Sequence, residues 1–267
     1  MNYNRFSNYF GLVAHYKFAG PLQSLINRFY LWKFDINLSE FEVPKGGFAS
    51  LNELFTRRLK APRKLDKGFI SPSDGLILDC GEGMSDTALS IKNYEYDVRE
   101  LLGGTLNKDE LKSEFDYLNI YLSPSDYHHY HAPADLVVES AAYVKGELFS
   151  VAPNWLARIP NLYARNERVV LRTRLENGKI LWIVFVGAWN VGKIKIDFEP
   201  RIDTNAANGD ALYEYSNLKL EKGEHLGNFE LGSTIVLISE PKALSYHTNL
   251  SGAKINFGEN LGEIVQI

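Results

Sequence analysis

Short runs of β-branched and aromatic residues, each bounded by Gly, Pro, Asn or Asp, constrain the fold of this chain more than any other feature. Such runs favour strands, and short strands separated by turns favour antiparallel sheets. Four runs are interpreted as strands: LNIYL at 118–122, RVVLRTRL at 168–175, KILWIVFVGAWNVGKIKIDF at 179–198 and STIVLIS at 233–239. The sequence therefore predicts an α+β protein that is predominantly antiparallel β, with a barrel-like or sandwich-like body.

Helix signals are concentrated in the first quarter of the chain. The stretch SLNELFTRRL carries Ser50 and Glu53 at the spacing of a capping box. Its apolar residues share one predicted helical face: Leu51, Leu54, Phe55 and Leu59. One or two further helices are expected within 97–115. With no repeat and no long linker, the simplest organisation is an N-terminal helical region at 1–60 and a β-rich domain at 61–267.

The first 34 residues combine positive charge with aromatic side chains. They hold ten Phe, Tyr and Trp residues and no acidic residue, although the whole chain has a net charge of −4. Their cations are Arg5, Lys17, Arg28 and Lys33. This composition is typical of an amphipathic segment at a membrane interface, and a helical hairpin packed on the core is the alternative interpretation. A second basic run, RRLKAPRKLDK at 57–67, has six cations against one acid.

Two further observations concern the cellular compartment. Cys80 is the single cysteine, which excludes an internal disulfide and fits a reducing environment. No apolar run approaches the roughly 20 residues that a membrane-spanning helix requires. The expected location is therefore cytoplasmic, without a spanning segment.

The stretch FELGSTIVLI, at 229–238, places Gly-Ser-Thr inside an apolar strand-like run. Glycine weakens a strand and marks a bend, a bulge or a close approach of the backbone. Ser233 follows directly after Gly232, and strand-like sequence lies on both sides. A serine in this context could act on its own chain.

Three histidines crowd into YLSPSDYHHYHAPAD: His128, His129 and His131. One interpretation is a zinc site, since His129-x-His131 and His131-x-x-x-Asp135 match ligand spacings of one group of β-rich zinc peptidases. The two patterns overlap on His131, however, and neighbouring residues of an extended segment point to opposite faces. Three ligands from one short strand are therefore disfavoured.

The other interpretation makes a histidine the general base for a hydroxyl nucleophile, which needs such help because it is weak at its own pKa. Asp74, in the turn-like segment SPSDG, could orient the histidine, and Ser233 is the candidate nucleophile. The chain order Asp, His, Ser does not by itself identify a triad. The serine also lies outside the G-x-S-x-G pattern of the common hydrolases.

Together these segments resemble the phosphatidylserine decarboxylase family of pyruvoyl-dependent enzymes. The resemblance runs nearly end to end and rests on these motifs, in the family's order: LNELFTRRLKAPRKLD, SPSDG, YLSPSDYHHYHAP, GELFSVAP, NERVVL, VGAWNVGKI and KGEHLGNFELGSTIVLI. The most specific element is Leu231-Gly232-Ser233-Thr234, which matches the family's self-processing signature. The chain departs from the family's usual residues at two positions. The second serine of SPSDG is usually alanine, and His225 stands at a position that is more often acidic.

The resemblance implies that the chain cuts itself. The Ser233 hydroxyl would attack the Gly232 carbonyl, and elimination would leave a large chain of residues 1–232 and a small chain of residues 233–267. The small chain would begin with a pyruvoyl group derived from Ser233, and no metal would be needed. By the same resemblance Asp74 orients His131, and His131 removes the Ser233 proton.

The resemblance also implies the second reaction. The pyruvoyl group would form a Schiff base with phosphatidylserine, release CO₂ and yield phosphatidylethanolamine, with His128 acting at this stage. The expected setting is the cytoplasmic face of the cell membrane, with peripheral attachment, association of the two chains and homo-oligomers. The alternatives are a zinc-dependent β-rich peptidase using the cluster at 128–131, or a non-enzymatic β-rich binding module.

Overall fold

The structure is a computed structural model that describes most of the chain. The described residues are 13–84, 89–91, 94–107, 110–111, 114–156, 158–188, 193–204, 209–230 and 233–266, with backbone only at 89–91 and 94–96. Antiparallel strands dominate and the helices are short, which confirms the α+β class.

Eight strands form one antiparallel sheet in the order β11-β7-β8-β9-β13-β5-β2-β15. Their bounds are β2 Gly75–Met84, β5 Glu114–Leu122, β7 Leu136–Val144, β8 Arg168–Arg174, β9 Ile180–Gly187, β11 Ala211–Leu220, β13 Ser233–Ser239 and β15 Lys254–Ile255. Every residue of β9 and β13 is buried, because these central strands are covered on both faces. The edge strand β11 instead consists of half-buried and exposed residues up to its last residue, the buried Leu220.

Three smaller sheets complete the β structure, in the orders β10-β12-β6, β1-β16-β14 and β3-β4. Their strands are β1 Phe69–Ile70, β3 Leu89–Ile91, β4 Tyr94–Tyr96, β6 His129–His131, β10 Ile194–Ile196, β12 His225–Phe229, β14 Leu244–Tyr246 and β16 Asn260–Ile264. The run predicted as a strand at 179–198 thus contains β9 and β10, which belong to different sheets. The sheet β10-β12-β6 carries three of the six histidines, His129, His131 and His225.

The helices with both ends among the described residues are α1 Gly20–Lys33, α2 Leu51–Phe55, α3 Val98–Leu102, α4 Pro153–Leu156 and α5 Leu162–Arg165, with a 3₁₀ turn at Gly103–Thr105. The predicted cap of α2 is confirmed, since the Glu53 amide donates to Ser50 Oγ at 3.1 Å. The predicted extension of this helix to Leu59 is wrong. The helix ends at Phe55, and Leu59 instead forms a β-bridge with Phe41.

Gly227, in β12, permits the close approach of β12 to β10 in the sheet that contains His129, His131 and His225. Its φ is +151°, and a Cβ built there would lie 1.8 Å from the Lys195 carbonyl oxygen of β10. We expect Gly227→Ala to destabilise the fold by about 3 kcal/mol, because backbone must move to relieve the overlap. For a chain of this size that corresponds to a fall in Tm of roughly 6–12 °C.

The measurement is thermal unfolding of Gly227→Ala and of Gly209→Ala. Gly209 is the matched control, because a Cβ added there would meet no atom within 4 Å and its φ is ordinary. Equal Tm values for the two variants would contradict the assigned role of Gly227.

Candidate active site

Ser233 is the first residue of β13, where it pairs with Leu122 at the end of β5 and with Gly187 at the end of β9. It is fully buried, and its Oγ has no hydrogen-bond partner among the described residues. Strand therefore lies on both sides of the predicted break, with β12 ending at Phe229. Leu231 and Gly232 lie outside the described residues. A buried hydroxyl without a partner is costly, so this one calls for a functional explanation.

His128 is also fully buried, with its ring 3.9 Å from that of Phe55 between centroids. Its Nδ1 lies 2.9 Å from the Asp126 carbonyl oxygen, which can only accept, so Nδ1 carries the proton. Burial lowers the pKa of His128 well below its usual value, and the nearby Arg57 adds to this effect. The ring is therefore neutral, and its Nε2, which has no described partner, presents a lone pair.

Arg57 supports this arrangement from the N-terminal region. It is 2% exposed, and its Nη2 donates to the carbonyls of Ser125 and Asp126 at 2.5 and 2.9 Å. The Asp126 carbonyl thus accepts from both Arg57 and His128. Arg57 fixes the loop that sets the tautomer of the histidine.

Two short connections bring His128 and Ser233 into one region. The Phe229 amide donates to the His128 carbonyl at 2.9 Å, and Ser233 follows Phe229 by four residues. On the other side, Leu122 pairs with Ser233 and precedes His128 by six residues. Segments of four and six residues therefore connect His128 and Ser233, whose Nε2 and Oγ are both buried without a described partner.

His131 lies in β6 and faces a different set of groups. Its Nδ1 donates to the Gly223 carbonyl at 2.9 Å, and its Nε2 lies 3.2 Å from the Tyr127 hydroxyl. The ring stacks on Phe257 with centroids 3.7 Å apart. Burial lowers the pKa of His131 to about 3, so the ring is neutral at pH 7. The Nε2 lone pair is thus available as a base once the tyrosine is displaced.

Asp74 lies beside His131 without bonding to it. Its Oδ1 accepts from Arg63 Nη1 at 2.5 Å and from the Phe257 amide at 2.8 Å, while Oδ2 accepts from Arg63 Nη2 at 3.1 Å. The His131 amide donates to the carbonyl of Pro72, two residues before Asp74, which keeps the segments together. Within the described residues, no hydrogen bond joins Asp74, His131 and Ser233 to one another.

A row of hydrogen-bonded contacts through His225 and His129, the histidine chain, lies next to His131 and was not anticipated from the sequence. Asp197 Oδ2 is 2.6 Å from His225 Nδ1, His225 Nε2 is 2.7 Å from His129 Nδ1, and His129 Nε2 is 3.0 Å from the Thr56 carbonyl. The only signal in the sequence was His225 itself, which stands where the resemblance leads one to expect an acid. Its partners are distant in sequence.

The described residues contain no group of three or more His, Cys, Asp or Glu side chains arranged to hold a metal ion. The ring nitrogens of His129 are engaged by His225 and Thr56, and those of His131 by Gly223 and Tyr127. The geometry therefore gives no support to the zinc-peptidase alternative.

The chain is similar over nearly its whole length to known proteins. The sequence profile of the family described as phosphatidylserine decarboxylase matches residues 51–263. A phosphatidylserine decarboxylase proenzyme of Campylobacter jejuni is 50% identical over 262 residues, covering 96% of this chain and 97% of the relative. Proenzymes with the same name in Helicobacter pylori and Herminiimonas arsenicoxydans are 44% and 35% identical, each over 265 residues and covering 97% and 88% of the relative.

These similarities include the histidine cluster, the Asp74 segment and the strands around Ser233, all of which fall within the matched residues. The protein belongs to the phosphatidylserine decarboxylase family.

Proposed function

We propose that this chain is a precursor that cuts itself between Gly232 and Ser233 and then decarboxylates phosphatidylserine to phosphatidylethanolamine. Family membership makes it a carboxy-lyase, and its relatives are named as proenzymes. The observation that carries the self-cleavage is the Ser233 hydroxyl, which is buried, without a described partner and at the start of a strand.

The test is the intact mass of the full-length protein under denaturing conditions, with and without a carbonyl-reactive amine and a reductant. The 30.3 kDa chain should appear as species of about 26 and 4 kDa, of which only the smaller is labelled. A single unlabelled species of full mass would contradict the proposal.

In the first reaction the Ser233 Oγ attacks the Gly232 carbonyl carbon, and the peptide bond becomes an ester. His131 takes the hydroxyl proton, and Asp74 orients the histidine. For this step the Tyr127 hydroxyl, 3.2 Å from His131 Nε2, must move away so that the Ser233 hydroxyl can take its place. Asp74 and His131 share Phe257 as a neighbour: its amide donates to Asp74 and its ring stacks on that of His131. A direct contact between Asp74 and His131 requires Arg63 to release the carboxylate. Elimination of the Gly232 carboxylate and hydrolysis with loss of ammonia complete the cut.

The surroundings of Ser233 fit the group that this cut would create. Its Oγ is a buried polar atom without a described partner, and short segments connect it to His128, whose buried Nε2 also has no described partner. A pyruvoyl group there supplies an electron sink for the departure of CO₂. His128 is suited to hold or deliver a proton at this position, since its Nδ1 is fixed by Asp126 and its Nε2 is free to interact.

We further propose that region 1–60 attaches the enzyme peripherally to the membrane, at the cytoplasmic face. Helix α1 buries polar Gln23 and Asn27 and exposes apolar side chains, the reverse of an ordinary surface helix. The exposed residues lie at spacings of three and four, on one face: Leu22, Leu25, Phe29 and Trp32. No described helix has both the length and the apolar character needed to cross a bilayer.

The double variant Phe29→Ser, Trp32→Ser should weaken binding to anionic vesicles by roughly 10- to 30-fold, because two exposed aromatic side chains no longer insert. Sedimentation with vesicles of phosphatidylglycerol and phosphatidylcholine measures this. Leu212→Ser is the control, because Leu212 is 48% exposed on β11, outside region 1–60. Equal binding by both variants would assign α1 a purely structural role.

A further inference from the structure

A cavity of about 410 Å³ opens between the basic segment at 58–65 and the histidines of β6 and β12. Its volume lies within the roughly 300–1,000 Å³ that small-molecule pockets occupy. Its wall includes Arg58, Lys60 and Arg63 with His129, His131 and His225, and no described acidic residue lines it. The cavity is therefore suited to an anion.

The cations differ in how far they are already engaged. Arg63 is paired with Asp74 and Glu40. Lys60 Nζ donates one hydrogen bond, to the Ser39 carbonyl at 2.9 Å, which leaves two of its N–H groups. The guanidinium of Arg58 is exposed and has no hydrogen bond or ion pair with any described residue. Arg58 and Lys60 thus have donors to offer a ligand.

The histidine chain carries a positive charge, as the number of protons that its hydrogen bonds need indicates. The Asp197 carboxylate and the Thr56 carbonyl can only accept, so each needs a proton from its histidine. The contact between His225 Nε2 and His129 Nδ1 needs one more. Three protons on two imidazole rings make one of them an imidazolium. The Asp197 carboxylate, with Oδ2 2.6 Å from His225 Nδ1, lies beside this positive charge and stabilises it.

We propose that this cavity binds a phosphate anion, supplied by the phosphodiester of the lipid headgroup, through Arg58, Lys60 and the protonated His225–His129 pair. This assignment rests on the proposed decarboxylase function, because the ligand is the headgroup of the substrate of that reaction. The headgroup of phosphatidylserine carries a net negative charge, which matches the cavity.

The probe is sn-glycero-3-phosphocholine, a phosphodiester without the primary amine that could react with a carbonyl group. Its binding to the full-length protein is measured by ³¹P NMR titration, with inorganic phosphate as the second ligand. Arg58→Gln should raise its Kd about tenfold, since a hydrogen bond to a charged group is lost. Lys64→Gln is the matched control, because Lys64 is an exposed cation of the same segment that does not line the cavity.

A second comparison addresses the histidine pair. Binding of the diester should weaken about tenfold in His225→Gln, because the substitution removes the positive charge that the hydrogen bonds of the pair require. The other charged or titratable groups that face the pair are Asp197, Arg58, Arg63, His131 and Tyr127. Burial keeps His131 neutral and raises the pKa of Tyr127, so neither group adds charge near pH 7.

Absence of diester binding in an enzyme that still decarboxylates would overturn the site and leave the proposed function intact. Equal Kd values for Arg58→Gln and Lys64→Gln would also overturn it. Binding of inorganic phosphate that the diester does not displace would reassign the cavity to free phosphate and reject the headgroup as its source.

Discussion

Ser233→Ala is expected to yield one uncut chain of 30.3 kDa without decarboxylase activity. The substitution removes the only atom of residue 233 that can attack the Gly232 carbonyl, and with it the source of the pyruvoyl group. The small change in volume should be tolerated, because the Ser233 Oγ has no described hydrogen-bond partner to lose. Intact mass and CO₂ release from phosphatidylserine vesicles measure the two losses.

Ser239→Ala is a close control for this experiment. Ser239 closes the strand that Ser233 opens, and its Oγ is likewise buried without a described partner. This variant should be cut and active, because Ser239 takes no part in the proposed reaction. It would show that the loss of a buried serine hydroxyl does not by itself prevent cleavage. Cleavage of Ser233→Ala after residue 232 would rule out the serine mechanism.

The second large effect separates the roles of two histidines, one in self-cleavage and one in decarboxylation. His131→Ala should remain uncut, because its Nε2 is the proposed acceptor of the Ser233 proton. His128→Ala should be cut but lose roughly 10²- to 10⁴-fold in decarboxylation rate, the usual contribution of a general acid or base. Gel analysis of cleavage and a single-turnover measurement of CO₂ release separate the two defects.

The geometry makes this a demanding test. His128 has a free Nε2 in the region of Ser233, whereas His131 is hydrogen-bonded to Tyr127 and Gly223. An uncut His128→Ala together with a cut His131→Ala would reverse the assignment. His247→Ala, at an exposed histidine that contacts Asn260, should be cut and active and shows that loss of a histidine is not harmful in itself.

Much of the secondary structure was predictable, because it depends on local sequence. The run at 233–239 is strand β13 with the expected bounds, and the Ser50 cap forms as its spacing indicates. The helix that follows is shorter than predicted because Leu59 finds a partner in Phe41, on a segment that precedes the helix. Helical periodicity alone could not anticipate that bridge.

By itself, the sequence determined the family, the strand-rich fold and the residues able to carry chemistry, because motif spacing and side-chain type are properties of the chain. Only the tertiary structure decided which groups meet. Asp74 accepts from the amide of Phe257, 183 residues away, and His131 donates to Gly223, 92 residues away. His129 and His225 become partners across 96 residues. Burial, tautomer and charge follow from these distant contacts, since each depends on what the fold packs around a side chain.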